Sequence, residues 1–80
     1  METAFVRDLV VITVTSEVTD KLLVKKVVIK SRLKDFINEM VALYGTRIIV
    51  FQNKAYISSE GSIETGEYLG QIDIDTLLNY

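Results

Sequence analysis

Eighty residues with a net charge of −2 and no histidine, cysteine, proline or tryptophan bound the chemistry of this chain. Without thiols or imidazoles there is no zinc site of the nitrogen/sulfur kind, no disulfide, and no Ser-His-Asp or Cys-His nucleophile pair. The small net charge predicts no general attraction to nucleic acid or membrane, and the longest aliphatic or aromatic runs, Leu9 to Ile12 and Ile48 to Phe51, fall far short of the ~20 residues that cross a bilayer.

The length predicts one small domain, residues 1–80, with a core so limited that a second copy of the chain is expected to help it. The start, Met1-Glu2-Thr3-Ala4, has no basic region, so no signal peptide is expected and the expected location is cytoplasmic. The bias toward Val, Ile, Lys, Asn and Tyr fits small chains of phages and mobile elements.

In chain order, residues 5–15 read as a strand. Val10, Ile12 and Val14 share one face, and Val11, Thr13 and Thr15 the other. Residues 16–20 are polar and read as a turn. Residues 21–30 read as a second strand because Val24, Val27, Val28 and Ile29 are β-branched. Leu23, Val27 and Ile29 would line one face, and Lys26 and Lys30 the other. The rival reading is one helix from Ser16 to Tyr44, which lines up Lys26, Lys30 and Lys34 at four-residue spacing.

Ser31 reads as an N-cap for a helix over about 31–44. Leu33, Phe36, Ile37, Met40, Val41 and Tyr44 form its apolar stripe, and Gly45 ends it. Residues 47–52 read as a strand, Asn53-Lys54 as a tight turn, and residues 55–59 as the returning strand. Glu60-Gly61-Ser62 breaks the chain. Residues 63–66 read as a short edge or loop, and residues 68–74 as a last strand with Gly70 as a bulge point. Asp75 is expected to cap a closing helical turn.

The expected fold is therefore α+β: a two-layer sandwich with one amphipathic helix on a mainly antiparallel sheet of four to five strands in ββαβββ order. The second sheet face would carry Val11, Thr13, Lys26 and Lys30. Many small binding proteins share this strand-strand-helix-strand order, a likeness of architecture that transfers no residue role.

Charge is segregated along the chain. Lys21, Lys25, Lys26, Lys30, Arg32 and Lys34 contain no acid among them, while Glu60, Glu64, Glu67, Asp73 and Asp75 contain no base. Three readings follow. The two segments pair within one sheet and fix its register; they join two subunits; or the basic segment contacts phosphates through Lys25, Lys26, Lys30, Arg32 and Lys34. Little aromatic residue is interleaved there for base stacking. Asp73 and Asp75 would share a strand face, but no third carboxylate is near in sequence, so no metal and no cofactor is expected. The glycines form no phosphate loop. Acid-base work by Glu67, Tyr68 or Asp73 has no partner group to support it.

By elimination the chain is expected to be a non-catalytic protein-binding domain, with a phage or mobile-element inhibitor of a host factor as its concrete form. It would act by surface or edge-strand contact through Lys26, Val28, Lys30, Tyr56 and Tyr68. The expected partner is another protein, with a homodimer also expected and no membrane contact. Nucleic-acid binding by the basic segment is the alternative. The candidate edges are residues 21–30 and 67–74.

Overall fold

A computed structural model describes residues 9–79. Phe5, at the expected start of the first strand, and Tyr80, at the expected end of the last turn, lie outside the described residues. The elements are β1 (Leu9–Ser16), β2 (Leu22–Ile29), a 3-10 turn (Lys30–Arg32), α1 (Leu33–Tyr44), β3 (Ile48–Ile57), β4 (Ile63–Ile72) and α2 (Ile74–Leu78). The four strands form one antiparallel sheet in the order β2-β1-β3-β4, with α1 connecting β2 to β3. This is the expected α+β fold, at the lower of the two expected strand numbers.

Alternation along β1 builds the core. Val10, Ile12 and Val14 turn to the helix side, where they meet Val28, Ile48 and Val50 from the flanking strands and Phe36, Ile37 and Met40 from α1. Ile74 of α2 closes the same cluster. Fully burying a side chain such as Ile37 is worth roughly 1.5–3 kcal/mol, so this one interface supplies the main drive to fold. Leu33 and Val41 pack at its margin, half-buried, and Tyr44 is exposed. The single helix from Ser16 to Tyr44 does not form. Instead Ser16 makes a turn: its N–H donates to the Lys21 carbonyl at 2.9 Å, and its hydroxyl accepts from the N–H groups of Val18 and Thr19.

Four local expectations are corrected. Ser31 is not the N-cap, because the 3-10 turn begins directly after extended Ile29 and takes Ser31 inside it. Arg32 occupies the cap position without a side-chain hydrogen bond. Asn53-Lys54 does not turn: both residues stay in β3 because β1 pairs alongside them, Val11 with Asn53 and Val10 with Lys54. Ladder partners on each side outweigh a local turn preference. The reversal falls at residues 58–62, closed by Ser58 N–H to the Ser62 carbonyl at 2.9 Å, by the two serine hydroxyls at 2.8 Å, and by Gly61 at φ 85°. Residues 63–72 are one strand, carrying two register shifts against β3 that absorb two extra residues. Finally, Asp73 rather than Asp75 caps α2.

The facing of β2 is also opposite to expectation. Val14 pairs with Val24 and Thr15 with Leu22, so Leu23 is an extra residue in the ladder. Leu23 and Val24 both pack toward the core as a result. From there on Lys26 and Val28 share the helix side with Ile12 and Val10, while Lys25, Val27 and Ile29 share the open side with Thr13, Val11 and Leu9. Gly45 ends α1 as expected, at φ 81°, with its N–H donating to the Val41 carbonyl at 2.7 Å.

Candidate interaction surfaces

The strand order leaves β2 and β4 at the two edges of the sheet, because among the described residues β2 pairs only with β1 and β4 only with β3. An edge strand presents a row of main-chain donors and acceptors to anything that approaches. Both expected edges are therefore edges in space.

At the β2 edge, α1 runs alongside the strand. Lys26, Val27, Val28 and Ile29 from β2 and Arg32, Asp35, Phe36 and Glu39 from the helical side line a groove of about 410 Å³. Lys26 lies in this groove with its ammonium 5.6 Å from the centroid of the Phe36 ring. Its stem lies on the helix face of the sheet, so it takes the position of a core residue while its charge stays exposed. Val28 is buried, and only its backbone is available at the edge.

The basic segment does not converge on one surface. Lys25 and Lys26 fall on opposite sheet faces, paired with Thr13 and Ile12. Arg32 shares the groove with two carboxylates, Asp35 and Glu39. Lys30 lies at the far end of the sheet, lining a smaller hollow of about 220 Å³ with Lys54 and Glu67. Lys34 is exposed on α1. The reading in which the basic and acidic segments pair across neighbouring strands is not met, because β1 and β3 stand between β2 and β4; the two segments approach only where Lys30 and Glu67 line that hollow.

Tyr56 and Tyr68 do not form one surface. Tyr68 pairs with Asn53 on the open side, and Tyr56 follows Ala55 on the alternate face of β3. Tyr56 covers Gly66, where an added Cβ would sit 3.2 Å from the ring carbon Cε1. Tyr68 is 56% exposed.

Asp73 and Asp75 do not share a strand face. The Asp73 carboxylate turns inward on its own helix. It accepts from the Thr76 hydroxyl at 2.8 Å, from the Asp75 N–H at 3.1 Å and from the Thr76 N–H at 3.4 Å. The Thr76 hydroxyl first, and the Thr76 and Asp75 backbone N–H groups with it, hold the Asp73 carboxyl below its ordinary value against a small opposing effect of burial. Among the described residues no group of three or more His, Cys, Asp or Glu is placed to hold a metal ion, and no helix is long and apolar enough to cross a membrane.

The groove beside β2 was not legible from sequence. The helix period and the strand were each visible, but which face of β2 meets α1 depends on the extra residue at Leu23. No family model, no curated protein and no solved structure matches this chain.

Proposed function

We propose that this chain is a small non-catalytic protein-binding domain that acts by edge-strand contact, with β2 as the contact strand. The observation that supports this is the groove between a strand edge that is unpaired among the described residues and the helix beside it. An extended segment of a partner would hydrogen-bond to β2 along its backbone and send alternate side chains into the groove, over Phe36 and between Lys26, Arg32, Asp35 and Glu39. Of the five residues named from sequence, Lys26 lines this groove, Val28 offers its backbone and Lys30 flanks one end, whereas Tyr56 and Tyr68 lie away from it. The proposed setting is a mobile-element inhibitor of a host factor, acting in the cytoplasm. Phosphate contact by the basic segment has less support, because its cations are divided between two sheet faces and mixed with carboxylates.

A photo-crosslinking side chain placed at Lys25 or at Asn38 tests this in extract of the source cell. Asn38 is exposed on α1 and serves as the control. Discrete protein adducts are expected from position 25 and not from position 38. Equal labelling at the two positions, or adducts that vanish with nuclease, would overturn the reading.

A further inference from the structure

The two edge strands carry opposite charge, Lys25 and Lys26 on β2 against Glu64 and Glu67 on β4. Residues 21–34, which contain β2, hold six basic side chains and no acid, while residues 60–75, which contain β4, hold five acids and no base. They also run in opposite directions. β2 is antiparallel to β1, β1 to β3, and β3 to β4, so β4 is antiparallel to β2. A second copy shifted sideways along the sheet would therefore bring its β4 beside β2 in the direction that continues an antiparallel sheet.

The rows of the ladder show what would meet. Val24, Val14, Val50 and Ile72 form one row, and Val27, Val11, Asn53 and Tyr68 another. Extending these rows sets Ile72 of the incoming copy beside Val24, and its Tyr68 beside Val27. Lys26 would face Gly70, the end of the Lys26-Ile12-Gln52 row, which has no side chain to obstruct it. Lys30, one residue beyond the Ile29–Leu9 pair, would lie near the level of Glu64, one residue beyond the Ala55–Thr65 pair. Pairing β2 with β2 about a two-fold axis would instead oppose lysine to lysine near Lys25 and Lys26, and like charges directly opposite are destabilising.

We propose that copies of this chain associate head to tail, the acidic β4 edge of one adding to the basic β2 edge of the next in the register that continues the sheet rows. This rests on the reading of β2 as a contact strand and names one occupant for it. Such a heterologous contact builds a ring or an open chain rather than a closed two-fold dimer. The two register shifts in β4 shorten the ladder it offers; the rows set Lys25 beside Gln71 and Lys26 beside Gly70, so Lys30 near Glu64 is the charged pair of the contact and salt weakens it modestly.

The chain has no native cysteine, so engineered pairs report without background. Val27→Cys and Tyr68→Cys would be made singly, with tags of different mass, and together in one chain. Within one chain the two positions are three strand spacings apart, about 14 Å, too far to bridge. Under mild oxidation, mixing the single variants is expected to give mainly the mixed dimer, and the double variant is expected to give a ladder of multimers. Sedimentation of the wild type is expected to show association that weakens about two- to fivefold as salt rises from about 0.05 to about 0.5 M. Dominant Val27→Cys homodimers, or a wild type that stays at 9.1 kDa at low salt and high concentration, would overturn the proposal. Photo-crosslinks to other proteins at position 25 would persist in that case if only the self-association were wrong.

Discussion

Replacing Ile37 with alanine measures the contact between helix and sheet directly. Ile37 is fully buried against the β1 valines and Ile12, at 0% exposure. The substitution removes three carbons, worth about 2.4 kcal/mol at about 0.8 kcal/mol each. A residual void of up to about 80 Å³ adds as much as about 2 kcal/mol, since α1 is tied at both ends and closes over the gap only in part. The expected loss is therefore about 2.5–4.5 kcal/mol. A chain of this length has roughly 4–12 kcal/mol in total, so the variant loses a large share of its stability and its midpoint falls by about 10–35 °C. Urea unfolding followed by far-ultraviolet circular dichroism reads the change. Leu43→Ala is the matched control, on the same helix but 66% exposed, with an expected effect within about 0.5 kcal/mol. If Ile37→Ala cost no more than Leu43→Ala, α1 would not be seated on the sheet by this stripe, and the groove beside β2 would lose its wall.

Two further outcomes follow. Asp73 has a folded-state pKa lowered by its hydrogen bonds, so its support of α2 is complete above the ordinary carboxylate range and is lost as pH falls through the lowered folded value. Acidification should lower the protection factors of the Thr76 and Leu77 amides, taken against intrinsic exchange at each pH, Asp73→Asn should blunt that response, and an Asp73 titration midpoint at or above the ordinary carboxylate value would refute the cap. Gly70 sits at φ 122°, where a side chain is strained, although nothing lies within 4 Å of an added Cβ. Gly70→Ala should therefore destabilise by about 1 kcal/mol in a urea melt through backbone strain, and a neutral result would mean that β4 relaxes freely at its bulge.

The parts legible in the sequence are those governed by one period over one stretch. Val10, Ile12 and Val14 declared their face by alternation, and Phe36, Ile37 and Met40 by helical spacing, because each pattern is complete within its own element. What was not legible depended on a neighbour. Asn53-Lys54 has the local chemistry of a turn, yet β1 lies beside it and the ladder holds it extended. Ser31 has the chemistry of a cap, but the strand before it runs straight into a 3-10 turn. The facing of β2 inverts on a single extra residue, Leu23, whose presence in the ladder is visible only once β1 is paired with it. The groove inherits that dependence: Lys26 reads as a solvent-side residue until the shift at Leu23 places it over Phe36.

The segregation of charge acquires its meaning from the strand order. Had β2 and β4 been neighbours, lysine and glutamate would have met across the ladder and cancelled within one molecule. The order β2-β1-β3-β4 separates them by two strands poor in charge, so the side chains of each edge strand keep one sign, although Asp35 and Glu39 of α1 stand beside β2. A single-signed edge resists its own copy approached two-fold, which is a common protection against uncontrolled strand pairing. It does not resist an edge of the other sign. On the proposed contact, the lysines that oppose pairing of β2 with β2 would favour an incoming strand that carries acid, against the carboxylates of Asp35 and Glu39 on the helix side. In that proposed contact sign, sheet rows and the Phe36 side of the groove are separate contributions, so Lys30, Val27 and Phe36 can each be altered without the other two.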